Sequence, residues 1–372
     1  MDGTSEAAAR ALAGELGARK AALGAAAERL AGLLAEGPPC DRARVEAAMH
    51  EIRRLVREAP PLLARIQQSQ AEATRVAAAE MPGGRPAQAW YDLGSAAGLY
   101  RLSLNQWPRI EALIGAQIAG RRWKLVPAPR PQEAALAAVA DAAFRRLHRI
   151  LNPLEQDAAA AEAGAYGDIG LPQSRFVALA HAAYRVGLAQ GRGTMDFLDV
   201  GCGMGLKLLT AAAYFDGVAG IELDPGFAER ARDFLGAAAL PKWTVVQGDA
   251  RAFGSYGAFD VIYMFRPLEA QEAMAELEAH VVEGLAPGTL VIGPYRGFAA
   301  RHRALGLWPL APGLYVAGET RAAAAKLRRR AEFTGLAVRP PSEALRTVWT
   351  PILDVSQRRG FDLTRDGPLD HA

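Results

Sequence analysis

From residue 194 onward, short apolar runs alternate with helix-length segments, and that alternation leaves few architectures open. "TMDFLDV" precedes a helical stretch at 205–214, "VAGIEL" one at 226–236, and "FDVIYMF" one at 269–284, with "WTVVQGD" and "TLVIGPY" as further strand-like runs. Strands separated by helices pair in parallel, because the chain must cross back over the sheet before the next strand can run the same way. The pattern therefore predicts an α/β fold around a doubly wound, mainly parallel sheet. In such sheets ligands bind beyond the carboxyl ends of the strands, near the reversal of strand order, so the loops after each strand carry the functional information.

The first of those loops is Gly201-Cys202-Gly203-Met204-Gly205, directly after Asp199-Val200. Glycines at a strand-to-helix turn let the backbone approach a ligand with no Cβ in the way. Their spacing is wrong for a dinucleotide, since in G-x-G-x-x-G the third glycine comes three residues after the second and here Gly205 follows Gly203 by two. The P-loop pattern G-x-x-x-x-G-K-[ST] is also missing here. The second strand ends in Gly220-Ile221-Glu222-Leu223-Asp224, which sets an acid about 20 residues past the glycines, where ribose hydroxyls are normally met. The third ends in Gln247-Gly248-Asp249-Ala250, where an adenine amino group could donate. Acidic tips without a cluster of cations describe an adenosine ligand lacking phosphates, with a charged amino-acid tail: S-adenosyl-L-methionine.

"FLDVGCGMG", "GIELDP", "QGDA" and "FDVIYMF" resemble, in order and spacing, the first four sequence blocks of class I S-adenosylmethionine-dependent methyltransferases, over roughly residues 165 to 300. The resemblance implies a seven-stranded sheet with one antiparallel edge strand, for which "LRTVWTPILDV" at 345–355 is the candidate late strand. It also implies that Asp199, Gly201, Cys202, Gly203 and Gly205 hold the methionine end, Glu222 and Leu223 the ribose, and Asp249 with Ala250 the adenine. "AYGDIG", upstream of the glycines, is similar to a loop of non-SET lysine methyltransferases that folds over the cofactor, which would bring Tyr166 and Asp168 to its amino-acid end. The function implied is methyl transfer to an unidentified acceptor. A protein-lysine methyltransferase and an inactive cofactor-binding module stand as the alternatives.

The chain departs from the amino-group methylases after the fourth strand. Met264-Phe265-Arg266-Pro267-Leu268 puts Phe265 where a carboxamide would grip a target nitrogen. No metal is expected, because Asp260 falls at the start of that strand, away from the ligand end. Transfer from a sulfonium needs positioning of the acceptor and a base if it is protonated. None of the six histidines is assigned as base. In the implied strand order the loops "YMFRPL" and "GPYRGF" open on one side, bringing Arg266 and Arg296 together beside Tyr263 and Tyr295. Two converging guanidinium forks would suit an anionic acceptor.

Upstream, Leu12, Leu16, Leu23 and Leu30 mark one helix and Val45, Met49, Ile52 and Val56 a second, with breaks expected at Gly37-Pro38-Pro39 and Pro60-Pro61. "VPAPRPQ" at 126–132 reads as a connector. The expected organisation is a helical domain at 1–125 that shapes substrate access or dimerises, a methyltransferase domain at 126–355, and a tail at 356–372. The aromatic group Trp90, Tyr91, Tyr100, Trp107 and Trp123 reads as core or interface packing, with a substrate cap as the alternative. Lys plus Arg (43) nearly balance Asp plus Glu (40), giving a net charge of +3, so no chain-wide footprint for nucleic acid is present. Two cysteines make no disulfide framework, and charges interleaved through the N-terminal segment argue against a secretory signal. A cytoplasmic protein with no membrane partner is expected, with a homodimer through the N-terminal helices as a possible assembly.

Overall fold

The computed structural model describes residues 2–37, 40–81, 83–152, 155–167, 169–338 and 347–363; Asp168 and residues 364–372 of the expected tail lie outside them. The chain divides into two compact units, residues 1–121 with 340–372, and residues 122–339.

The first unit is helical: α1 (Asp2–Ala35), α2 (Arg42–Glu80), α3 (Gln88–Asn105) and α4 (Trp107–Ile118). Leu16, Leu23 and Leu30 are buried in its core with Val45, Met49 and Ile52, so the leucine stripe is used in internal packing. Asp41 caps α2 by accepting from the Arg44 N–H at 3.1 Å. The break expected at Pro60-Pro61 does not occur, and α2 runs through both prolines. A proline inside a helix costs about 3 kcal/mol, but Leu55, Ala59, Leu62, Leu63 and Ile66 on both sides of the pair are buried on one face, and continuing the helix keeps that burial. Trp90, Tyr100 and Trp107 are core residues of this unit, whereas Tyr91 is exposed.

The second unit opens with α5 (Pro131–Leu151), α6 (Ala158–Glu162) and α7 (Gln173–Gln190). There follow β1 (Asp196–Val200), α8 (Leu206–Ala211), β2 (Gly217–Glu222), α9 (Pro225–Ala237), β3 (Trp243–Gln247), β4 (Val261–Met264), α10 (Gln271–Glu283), β5 (Leu290–Ile292), α11 (Arg296–Arg301), β6 (Trp308–Ala311), β7 (Leu314–Val316) and α12 (Arg321–Glu332). The seven strands lie in the order β3-β2-β1-β4-β5-β7-β6. β1 to β5 pair in parallel, and β7 is antiparallel to both β5 and β6. The antiparallel strand thus sits one place in from the edge. β2 and β4 are buried throughout, as strands covered on both faces must be. One face carries Phe176, Phe197 and Tyr263, the other Ile262, Met264, Tyr256 and Phe298.

Two expectations are corrected here. Residues 350–358 of the supposed late strand form α13 (Thr350–Arg358), a helix of the first unit. Trp349 packs against Trp107 with ring centroids 5.3 Å apart and planes tilted by 33°, its indole N–H donates to the Ser103 carbonyl at 2.7 Å, and Gln117 Nε2 donates to Ser356 Oγ at 2.8 Å. The sheet is instead completed by a β6–β7 hairpin, whose Pro312-Gly313 turn needs the positive φ (87°) at Gly313. The unit boundary falls at 121/122, ahead of the proline-rich connector, and Arg185 explains why. Buried in α7, its guanidinium donates to the carbonyls of Trp123, Lys124 and Ala331 at 3.0, 3.1 and 3.0 Å, tying residues 123–124 to the end of α12.

Candidate functional site

The strand order reverses between β1 and β4, and the loops at the carboxyl ends of the central strands border a cleft. It is lined by Gly201 and Gly203, by Ile221, Glu222 and Leu223, by Gly248, Asp249 and Ala250, and by Phe265 to Leu268. Gly201 turns at φ +80°, and its N–H and that of Cys202 both donate to the Ile221 carbonyl at 2.9 and 3.0 Å. A Cβ at Gly201 would stand 2.6 Å from Pro267 Cβ, so only glycine fits there. Gly205 serves differently. It begins α8 at φ +82°, a Cβ on it would meet Ala231 Cβ at 3.3 Å, and it lines neither cavity. The structure gives it a packing role, leaving no room for a side chain between α8 and α9.

Glu222 is buried at the tip of β2, with one carboxylate oxygen accepting from the Gly203 N–H at 2.7 Å and the other from the Asp224 N–H at 3.0 Å. The acid therefore clasps the glycine turn to the neighbouring strand while facing the cleft. Asp249 at the tip of β3 accepts from the Arg251 backbone at 2.8 Å and from its guanidinium at 2.7 to 3.0 Å. The Arg251 hydrogen bonds hold its carboxyl below the usual carboxylate range. The Ala250 carbonyl accepts from Tyr256 Oη at 2.6 Å.

The segment around Tyr166 is laced over this cleft. Ala165 bridges Leu268, the Tyr166 N–H donates to the Pro267 carbonyl at 2.9 Å, and the Glu269 N–H donates to the Gly164 carbonyl at 3.0 Å. At its near end the Asp157 N–H donates to the Asp224 carboxylate at 2.7 Å. Arg266 takes a left-handed conformation, φ +55°, which is costly for a residue with a Cβ. That turn brings its guanidinium over the Tyr166 ring at 4.7 Å and within 2.9 Å of Tyr166 Oη.

A second cavity adjoins the first, sharing Ile169, Gly201 and Phe265. Its other walls are Asp199, Cys202, Met204, Leu206, Lys207 and Tyr263 around the glycine turn, with Phe144 and His148 from α5 and Gly170 from the loop before α7. The Lys207 ammonium is buried, donates to the Leu171 carbonyl at 2.8 Å and to Gln173 Oε1 at 2.7 Å, and lies over the rings of Phe144 and Phe176. Burial, and then the charge of Asp199, push the Tyr263 hydroxyl well above its ordinary pKa, so it stays a neutral phenol.

The four acceptor candidates separate. Tyr263 and Arg266 line the cavities, but Tyr295 and Arg296 do not. Tyr295 donates its hydroxyl to buried Glu278 at 2.7 Å, an acid that also binds Arg301, and Arg296 is exposed. Of the two arginines expected to converge, Arg266 lines the cleft and is engaged by Tyr166, while Arg296 is exposed and lines neither cavity. His148, Phe144 and Lys207 were not singled out from the sequence. Only Lys207 had an available signal, a cation two residues beyond the glycine turn in an otherwise apolar helix start.

Residues 197–288 match a family model described as a methyltransferase domain. With the strand order and the glycine turn at the tip of β1, that match defines a class I, Rossmann-like S-adenosylmethionine-dependent methyltransferase domain. Among solved structures, the chain is similar to DesVI of Streptomyces venezuelae at 28% identity, over 32% of this chain and 50% of that one, with a TM-score of 0.27. It is similar at 29% identity to a SAM-bound amino pentose methyltransferase from Micromonospora echinaspora involved in calicheamicin biosynthesis, over 38% of this chain and 56% of that one, TM-score 0.27. An RNA methyltransferase from Salinibacter ruber in complex with S-adenosyl-L-homocysteine is 23% identical over 33% of this chain and 75% of that one, TM-score 0.27. The chain thus spans about half the length of the first two. No curated protein matches it.

Proposed function

We propose that this chain binds S-adenosyl-L-methionine across the two joined cavities and transfers its methyl group directly to an acceptor that enters beside Phe265. The observation carrying this reading is the gathering of Gly201, Gly203, Glu222 and Asp249, from three adjacent strand tips, onto one cleft. The cleft suits an adenosine. Gly248 has nothing within 4 Å of the place a Cβ would take, so no side chain fills the space beside Asp249, while Glu222 offers acceptor oxygens for ribose hydroxyls and Asp249 for an amino group. The second cavity suits an amino-acid tail, since buried Asp199 and buried Lys207 present one negative and one positive group to a zwitterion.

When bound, the cofactor supplies an electrophilic methyl group on a sulfonium. The protein's part is to hold both reactants in line and keep water out. Phe144, Ile169 and Phe265 supply apolar walls, and the Tyr166 segment covers the adenosine side. His148, on the wall of the second cavity, is the group we assign to take a proton from a protonated acceptor. Direct transfer needs no metal in this scheme, and among the described residues no cluster of three or more His, Cys, Asp or Glu is placed to hold one. Among those residues no helix is long and apolar enough to cross a membrane.

The Tyr166-Gly167 segment laid over the cleft favours a protein-lysine acceptor as a second reading. Calorimetry with S-adenosyl-L-methionine, NAD and ATP tests the cofactor, and only the first is expected to bind. Incubation with methyl-labelled cofactor and a cell extract tests the activity. Label in a small-molecule, RNA or protein fraction identifies the acceptor class, label on protein lysines selects the second reading, and binding without transfer reduces the chain to a binding module.

A further inference from the structure

α5 has two working faces. Ala137, Asp141, Phe144, His148 and Leu151 face inward, half-buried, and carry Phe144 and His148 to the second cavity. The opposite face is apolar and open: Leu136 is 72% exposed, Val139 69%, Leu147 45% and Ile150 66%, with exposed Ala143 between them. At 100° per residue these five positions fall within one stripe about 80° wide. Apolar side chains left in water along most of a 21-residue helix call for a partner.

The stripe has a symmetry that says which partner. Leu136 and Ile150 each lie seven residues from Ala143, and Val139 and Leu147 each lie four residues from it. A closed twofold interface requires a surface complementary to itself, and a stripe that reads the same in both directions about a small central residue meets that requirement when two helices cross antiparallel at Ala143. Leu136 of one copy then packs on Ile150 of the other, and Val139 on Leu147, with the alanines letting the backbones approach.

Charge selects the same orientation. Residues 131–144 hold Glu133 and Asp141 and no base, while residues 145–151 hold Arg145, Arg146 and Arg149 and no acid. Side by side in parallel, the arginine ends of two copies would repel. Antiparallel, each arginine end lies beside the acidic half and the helix dipoles oppose favourably, although Glu133 is shared with Arg130 and Asp141 with Ser174. We propose that α5 pairs antiparallel with α5 of a second copy of this chain about Ala143, forming a homodimer. A contact roughly 30 Å long and one helix wide is at the small end of specific interfaces, so the dimer is weak, with a dissociation constant roughly in the micromolar range.

Cysteine cross-linking of the full chain tests the geometry. Ala143→Cys should give a disulfide-linked dimer under mild oxidation. Leu136→Cys and Ile150→Cys should each fail alone, because like positions sit about 21 Å apart along the pair, beyond disulfide reach. The double variant should link. The wild-type protein, with Cys40 half-buried and Cys202 buried, sets the background. Sedimentation over a concentration series should show a monomer–dimer equilibrium that Leu147→Glu shifts at least tenfold toward monomer without changing the melting temperature. Monomer at every concentration overturns the proposal, whether or not the chain then floats with phosphatidylglycerol vesicles. Linking by Leu136→Cys alone, as efficiently as by Ala143→Cys, overturns the antiparallel register.

Discussion

Replacing Glu222 tests a residue that the structure gives two tasks. Its carboxylate accepts from the N–H groups of Gly203 and Asp224 at 2.7 and 3.0 Å and faces the cleft. Each bond to a charged acceptor contributes about 1.5–3 kcal/mol, so Glu222→Ala removes at most about 3–6 kcal/mol from the folded state. The cleft is open enough for water to satisfy part of that, and we expect a loss of roughly 2–4 kcal/mol. Glu222→Gln keeps the shape but turns an amide N–H toward one of the two backbone donors, which should cost about half as much. Thermal melts read the first task, with roughly 2–4 °C per kcal/mol for a unit of this size. Calorimetry at a temperature where both variants are folded reads the second. S-adenosyl-L-methionine affinity should fall at least tenfold for Glu222→Gln, since one ribose hydroxyl loses its charged acceptor. A melting shift with unchanged affinity would leave Glu222 as a clasp only, and unchanged melting in both variants would refute the energetic argument for the clasp.

Gly201→Ala should lower stability by about 1–2 kcal/mol for the left-handed backbone alone, with more from the contact with Pro267. Its cofactor binding should be lost before folding is, as read by calorimetry beside urea unfolding. Arg266→Ala removes the pairing with Tyr166, so amide exchange should speed at residues 164–167 and cofactor should dissociate faster while the melting temperature changes little; slow exchange there would show that the backbone bridge suffices. His148→Gln should reduce kcat at least tenfold with the cofactor dissociation constant unchanged, and an unchanged kcat would remove it as proton acceptor. A fragment of residues 122–339 should fold and bind cofactor, whereas one beginning at 127 drops the Trp123 and Lys124 carbonyls from buried Arg185 and should melt well below it by circular dichroism.

The sequence by itself was enough for the sheet from β1 to β5, the glycine turn and the acids at its strand tips. These features are local. A strand's burial is written in its own run of apolar residues, and the tip of a parallel strand must face the ligand edge wherever the strand lies in the sheet. Pattern failed where a distant partner decided the outcome. Pro60 and Pro61 stay helical because of apolar burial on both sides of them, and residues 350–358 are a helix because Trp349 finds Trp107 and Ser103, about 240 positions earlier. Arg296 and Tyr295 stand at the end of a strand like Arg266, but Tyr295 turns toward Glu278 on the α10 face of the sheet. Gly205 looks like its two neighbours and packs on Ala231. His148, some fifty residues before the glycine turn, reaches the cavity wall because one face of α5 packs inward against α7, and no periodicity in a single helix can say what will lie opposite its face.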